Sequence, residues 1–130
     1  MMNRRATLEA AERKASRQRR EEAAGSLHEA FPTLRSLRLA VQEFRTGAPN
    51  AECAHVRRVV VEHAPALFEL PCTDAHCQDG GYDVTYEIMR ALRAGQKSFE
   101  GRQPCQGRRG GGECNRYLHY VADASYGPTP

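Results

Sequence analysis

The chain has 130 residues, of which 40% are hydrophobic and 27% charged, and it carries a formal net charge of +3 and five cysteines. This length suits one small domain, and no run approaches the roughly 18 apolar residues that a membrane-spanning helix requires. We therefore expect no membrane partner. Because no hydrophobic signal segment follows the basic N-terminal residues, we expect a cytoplasmic location.

Residues 1–26 form a charged arm without a hydrophobic face. Residues 1–24 hold seven Arg or Lys and four Glu, so their balance of +3 equals the net charge of the whole chain. Ala, Glu, Arg, Lys and Gln favour a helix. However, Leu8 is the only large apolar side chain of residues 5–24, so such a helix has no apolar face to bury. We predict an arm that is either helical or disordered.

Three segments that follow have the pattern of β-strands. Residues 34–44 alternate, with Leu37, Leu39 and Val41 on one face. Residues 55–63 are rich in β-branched side chains and read as a second strand. A third is predicted at 66–72, separated from the second by a proline.

One helix and a last strand come next. Asp83 is a suitable N-cap, apolar residues at helical spacing follow it, and Gly95 is a suitable residue to end the helix. Residues 101–114 are predicted to form a glycine-rich loop. Residues 116–126 alternate again, and four of them would line one side of a strand. These four are Leu118, Tyr120, Ala122 and Ala124.

The order of these elements predicts an α+β fold. We expect a small, mainly antiparallel sheet of about four strands with one packed helix. This domain would span residues 27–126, and residues 127–130 would form a disordered tail.

Four of the five cysteines fall into two pairs beside loops. Cys72 and Cys77 flank the residues TDAH, and Cys105 and Cys114 flank the glycine-rich stretch. Cytoplasmic cysteines are usually reduced, and an odd number fits poorly with full disulfide pairing. Zn²⁺ prefers tetrahedral thiolate and imidazole ligands. The spacing therefore predicts one structural zinc site formed by all four, with buried apolar cysteines or disulfides as the alternatives.

Two histidines and the fifth cysteine leave other ligand sets open. His76 or His119 could replace one of the four cysteines, although a surface or hydrogen-bonded histidine is the more typical interpretation of each. Cys53 forms a Cys-x-His pair with His55. As a second metal site that pair lacks partners, and we interpret it as structural or incidental.

The cysteine arrangement resembles zinc-ribbon and treble-clef modules, over about residues 66–126. In those modules two cysteine-bearing turns, one after a strand and one before a strand, hold the metal, as PCTDAHC and the second pair would do here. The layout FELPC…C…GGYDVT…C…C is also similar to that of small bacterial cysteine-containing proteins. The resemblance implies a zinc-binding module and no particular reaction.

No catalytic residue is predicted. The chain has no G-x-S-x-G, Walker or dinucleotide-binding motif, and no His-x-Glu pair precedes Cys72 as in zinc deaminases. A zinc-dependent hydrolase remains an alternative if one cysteine does not bind the metal. Its acid–base groups would be Asp74, Asp79 or His76, although such aspartates usually cap turn amides.

Two kinds of binding function follow from this. Small antiparallel sheets often leave an edge strand open, so we predict a protein-interaction module or adaptor that binds a protein partner. The alternative is RNA, DNA or ribosome binding through phosphate contacts, made by cations of the arm and of the glycine-rich loop. These cations are Arg13, Lys14, Arg17, Arg19, Arg20, Arg108 and Arg109.

Overall fold

The computed structural model describes residues 4–128, without the side chains of Arg5 and Ala6. Three helices and nine strands lie in this range. The helices are α1 (Arg4–Ala24), α2 (Leu27–Ala30) and α3 (Thr85–Arg93). The strands are β1 (Leu34–Arg45), β2 (Ala51–Val59), β3 (Glu69–Pro71), β4 (Cys77–Gln78), β5 (Gly81–Asp83), β6 (Ser98–Pro104), β7 (Arg108–Arg109), β8 (Gly112–Glu113) and β9 (Arg116–Tyr126).

Four strands form one antiparallel sheet in the order β2-β1-β9-β6. β1 and β9 pair along their lengths, from Leu34 opposite Tyr126 to Arg45 opposite Arg116. Alternate side chains of both strands point to the same face of the sheet and form the core. They are Leu37, Leu39 and Val41 of β1 and Leu118, Tyr120, Ala122 and Ala124 of β9, all buried.

Helix α3 packs against this face. Ile88 and Leu92 are buried in the same apolar cluster as the inward side chains of the sheet. The N-cap residue is Val84, one residue after the predicted cap, Asp83. The Asp83 carboxylate nevertheless accepts the Thr85 amide N–H at 3.1 Å. Gly95 follows the helix with a left-handed φ of 71°. The α+β class, with an antiparallel sheet and one packed helix, is confirmed.

One of the four strands of the main sheet differs from the prediction. Residues 66–72 do not supply a strand of the main sheet, because only β3 is extended there and it pairs with β5. The fourth strand is β6, which overlaps the predicted loop at 101–114. The sequence does not indicate this strand, because Gly101 and Pro104 have low β-propensity. Both residues are tolerated in β6 because it lies at the edge of the sheet.

The second strand is displaced along the chain. Residues 55–63 have the predicted pattern, but β2 begins at Ala51 and ends at Val59. The apolar residues beyond it enter a turn, in which Val61 is buried with 1% of its surface exposed. The β-branched run therefore continues from the strand into a turn, where Val61 is its buried member.

The described part of the predicted arm is helical. None of the described side chains of α1 is buried, and an exposed ion pair joins the helix to the body, from Arg20 Nε to Glu69 Oε1 at 2.8 Å. The body begins directly after it, because Leu27 is fully buried. Among the described residues, no helix combines the length and apolar character needed to cross a membrane.

The predicted ends of the chain are described only in part. Residues 1–3 of the arm and 129–130 of the tail lie outside the described residues. In the described part of the tail, the Gly127 amide donates to the Thr33 carbonyl at 2.7 Å.

The small strands lie at one end of the main sheet. β6 ends and β9 begins there, and the Cys105 amide donates to the Arg116 carbonyl at 2.9 Å. β4, β7 and β8 form a small sheet of their own. The loops that carry the predicted ligands are consequently collected at this end.

Candidate metal centre

Four cysteines from two distant parts of the chain converge at this end of the sheet. Their Sγ atoms all lie within 4.8 Å of one another. Cys77 Sγ is 3.6 Å from Cys105 Sγ, and Cys72 Sγ is 4.0 Å from Cys114 Sγ. Each of these close pairs joins one cysteine of the first loop to one of the second. The spacing in the sequence predicted this grouping, and the structure brings the four sulfurs together.

The sulfur separations match ligands around one ion. Four thiolates placed tetrahedrally at about 2.3 Å from Zn²⁺ lie about 3.8 Å from one another, whereas disulfide sulfurs are about 2.05 Å apart. All five cysteines are free thiols. The geometry is therefore compatible with a four-sulfur metal site.

Two glycines allow the loops to close around the sulfurs. A Cβ at Gly80 would overlap Cys77 Sγ and lie 2.7 Å from Cys105 Sγ. A Cβ at Gly107 would lie 2.5 Å from Cys77 Sγ. The backbone can approach the sulfurs only because these positions have no side chain. Sequence reasoning missed both residues, although the runs Cys77-x-x-Gly80 and Cys105-x-Gly107 carried a signal.

The electrostatics of the sulfurs differ from one another. Burial raises the pKa of the Cys72 thiol to about 11, and burial also raises the pKa of Cys77. For Cys105, burial is outweighed by hydrogen bonds from the Gly107 and Gly81 amides, so its pKa is lowered. The Gly107 N–H lies 3.4 Å from Cys105 Sγ. A bound cation would supply the positive charge that the remaining thiolates need.

A buried carboxylate holds the first cysteine loop in place. Glu43 is 1% exposed and accepts the Thr73 amide N–H at 3.2 Å, the Thr73 hydroxyl and the Cys53 thiol. Arg116 donates to it at 3.2 Å. Burial opposes ionisation, but the bonds from Thr73 and Cys53 outweigh it and lower the Glu43 pKa. This network fixes the backbone directly after Cys72 and gives Cys53 a structural role.

Asp74 closes the same loop on itself. Its Oδ1 accepts the His76 amide N–H at 2.9 Å. Its Oδ2 lies at ion-pair distance from Arg109 Nε, 3.2 Å, and from Arg45, 3.7 Å. The His76 amide and then the arginine charges lower the Asp74 pKa. These contacts are those of a turn-capping aspartate.

The two alternative histidine ligands lie outside the sulfur cluster of the described residues. His76 is exposed in the loop. His119 lies on the outward face of β9, where its Nε2 is 2.9 Å from Glu100 Oε2. Asp79, the other acid considered for the loop, is exposed and has a left-handed φ of 54°.

The seven cations considered for nucleic-acid binding are divided between α1 and β7. Three of them form ion pairs: Arg17 with Glu21, Arg20 with Glu69, and Arg109 with Asp74. Another member, Arg13, lines a cavity of about 580 Å³ beside Cys72 and Cys77. The remaining members are Lys14 and Arg19 on α1 and Arg108 on β7, and all three are exposed.

The chain matches no protein family, and no curated protein or solved structure is significantly similar to it. The resemblance to zinc-ribbon and treble-clef modules therefore rests on the cysteines. Their separation within 4.8 Å is compatible with a zinc-binding module.

Proposed function

We propose that this protein is a non-catalytic zinc-binding protein that acts as a protein-interaction module. The observation that carries the proposal is the convergence of four cysteine sulfurs within 4.8 Å. Four thiolates complete a tetrahedral Zn²⁺ site and leave no open position for a water or substrate, which is the arrangement of structural zinc. A tetrahedral four-sulfur set suits zinc or iron rather than the hard cations that prefer oxygen.

The surroundings of the centre support a bound cation with four thiolates. Such a centre carries a net charge of −2. Burial lowers the pKa of the nearby Arg116, but the charges of Glu43, Asp74 and then Cys72 raise it above its ordinary value. The buried Tyr82 hydroxyl has no hydrogen-bond partner among the described protein atoms. Burial, and then the charges of Glu43 and Cys72, raise its pKa. A thiolate at Cys72 would give this hydroxyl an acceptor.

The zinc would serve the fold. It would join residues 72–77 to residues 105–114, two loops separated along the chain. For a body of this size, metal binding contributes directly to the free energy of folding. Reduced thiols suit a cytoplasmic location.

Metal analysis tests the proposal. We expect about one zinc per chain in wild type, and loss of zinc with a lower unfolding temperature in Cys77→Ser. Cys53→Ser is the matched control, because its cysteine lies outside the sulfur cluster and serine retains a hydroxyl to donate to Glu43. Co²⁺ substitution should give the absorption bands of a tetrahedral thiolate site in wild type and in the control.

Three results would contradict it in different ways. Equal zinc content in Cys77→Ser and wild type would remove Cys77 from the site. Failure of the purified, reduced protein to take up added zinc would overturn the zinc proposal. Iron in place of zinc would retain the four-sulfur centre and reject its metal.

Nucleic-acid or ribosome binding is the alternative function. The exposed residues Lys14, Arg19 and Arg108 would have to supply most of the phosphate contacts, because three other cations are in ion pairs. Salt-sensitive retention on RNA that is lost on removal of residues 1–24 would favour this alternative. Salt-insensitive capture of one protein would favour the interaction module.

A further inference from the structure

β2 is an open edge of the main sheet. It lies at the end of the strand order and pairs with β1 on one side only. The opposite edge, β6, contains Gly101 and ends in Pro104, which has no N–H to offer. β2 contains neither glycine nor proline between Ala51 and Val59. Its free side therefore presents a row of backbone donors and acceptors.

The middle of β2 is uncovered on both faces. The five residues from Ala54 to Arg58 are all exposed, and Val56 is 49% exposed. Leu39 and Val41, which β1 places opposite the inward-facing residues of β2, are buried. The described elements thus cover β1 and leave β2 projecting beyond them.

The exposed segment carries positive charge on both faces. Arg57 is paired with Leu39 and so lies on the inward face, whereas Arg58 is paired with Arg38 and lies on the outward face. Asp123 lies 3.6 Å from Arg38. Within residues 4–128, no ion pair involves Arg57 or Arg58.

The acidic residue of β2 does not neutralise these arginines. Glu52 lies in the bulge opposite Glu43 and Phe44, and its Oε1 is 3.3 Å from Arg45 Nε. The edge beyond the bulge is left with two unpaired cations and an apolar side chain, Val56, between exposed neighbours.

We propose that β2 is the docking edge for an acidic, extended segment of a partner protein. This inference rests on the proposed role as an interaction module and identifies its surface. The added strand would satisfy the free backbone groups of β2, and adjacent acidic side chains would reach Arg57 and Arg58 on the two faces. An apolar side chain of the partner would cover Val56.

The other possible occupants fit the edge less well. A second copy of the chain would bring four arginines together at one interface, and like charges across paired strands are destabilising. Nucleic acid needs cations on a common surface, whereas Arg57 and Arg58 face opposite sides of the sheet. Only an extended polypeptide uses the backbone groups and both charges.

A synthetic peptide tests the proposal. The probe is a fluorescein-labelled, C-terminally amidated peptide of about ten residues, a strand's length, that alternates Val or Thr with Glu or Asp and carries one Glu-Asp pair. A second peptide has the same sequence with N-methyl groups on alternate backbone nitrogens, which removes strand pairing and retains the charge. A third has Lys in place of the acids, and single-stranded RNA of similar length represents the nucleic-acid alternative.

The protein variants are matched in charge. Arg57→Glu/Arg58→Glu reverses the charge of the β2 edge. Arg19→Glu/Arg108→Glu makes the same change in charge at two cations of the alternative nucleic-acid set. We expect the acidic peptide to bind wild type and the second variant. Binding should be at least about tenfold weaker for Arg57→Glu/Arg58→Glu and for the N-methylated peptide. Amide resonances of 54–58 should shift on addition of the acidic peptide.

Four results would each overturn the proposal. Two are equal binding of the N-methylated and unmethylated acidic peptides, and unchanged peptide binding by Arg57→Glu/Arg58→Glu. The others are no binding of the acidic peptide, and binding of RNA without binding of the acidic peptide. Zinc content is measured on the same samples. Zinc-loaded protein that does not bind the peptide rejects the docking edge alone, whereas a wild type that holds no metal and takes up no added zinc rejects the metal centre.

Discussion

At the scale of single residues, the candidate metal centre needs close backbone approach as well as its four sulfurs. Gly80 and Gly107 bring main-chain atoms against the sulfurs of Cys77 and Cys105. Gly107 also donates its N–H to Cys105. The hydrogen bond stabilises a thiolate, which is the form that binds metal.

Replacement of Gly80 by alanine should weaken zinc binding by at least about tenfold, because the new methyl group would displace Cys77 Sγ from the site. Gly111→Ala is the matched control, since a Cβ there meets no atom within 4 Å. Competition with a chromophoric chelator measures both affinities. Equal affinities in the two variants would show that the loop relaxes around the methyl group.

Glu43 is the second residue whose effect can be measured. Glu43→Gln leaves Arg116 buried without its nearest anion, and loss of one partner of a buried ion pair costs about 3 kcal/mol. Urea unfolding of the zinc-loaded proteins at pH 7 measures the difference in free energy of unfolding. A difference near zero would mean that the amide replaces the carboxylate fully.

The same pair of proteins should show a defined pH dependence. The folded pKa of Glu43 lies below its ordinary value of 4.5, so its stabilisation is complete above about pH 4.5 and disappears as the pH falls through the folded pKa. The difference between wild type and Glu43→Gln should therefore shrink in acid. Both proteins retain the four cysteines, so metal loss in acid affects them alike. A difference that stays constant below pH 4.5 would contradict the assignment.

At the scale of elements, α1 and α2 differ in what they bury. None of the described side chains of α1 is buried, whereas α2 begins with Leu27, which is fully buried. Helix α3 has one buried face and contributes to the core. A helix stabilises a domain mainly through the apolar face that it packs.

Removal of residues 1–24 should therefore leave the unfolding temperature unchanged within about 2 °C, because an exposed ion pair such as Arg20–Glu69 contributes little. Leu27→Ala in the shortened chain is the positive control and should cost about 3 kcal/mol, as other buried leucines do. Thermal unfolding followed by circular dichroism measures both. A large loss on removal of α1 would show that the helix is part of the folded body.

At the scale of the whole molecule, the candidate metal centre adjoins one end of the core. Cys105 and Cys114 belong to the buried apolar cluster, and Cys72 and Cys77 pack against it from the loops at that end of the sheet. β1 and β9, the two central strands, pair over their full lengths without help from those loops.

Zinc removal should accordingly loosen one end of the molecule first. A chelator at neutral pH should raise amide hydrogen exchange in residues 72–83 and 104–115 more than in β1 and β9, because local openings require less free energy than global unfolding. Mass spectrometry of peptic fragments measures both regions. A uniform rise throughout the chain would mean that the metal holds the whole fold.

The amino-acid sequence determined the features that depend on local pattern. β1, β9 and α3 follow from alternation and helical spacing, since one face of each is buried. The four cysteines could be grouped because thiolate pairs beside loops are typical of metal ligands. The α+β class followed from the order of these elements.

Only the tertiary structure decided which strands form the sheet and what surrounds the sulfurs. β6 is a strand through pairing with β9, and pairing across the chain overrides the weak propensity of Gly101 and Pro104. Glu43 lies 30 residues from Thr73 in sequence, so no local spacing indicates their contact. A local pattern reports which side of an element is buried, whereas strand order and the neighbours of a site depend on how distant segments pack together.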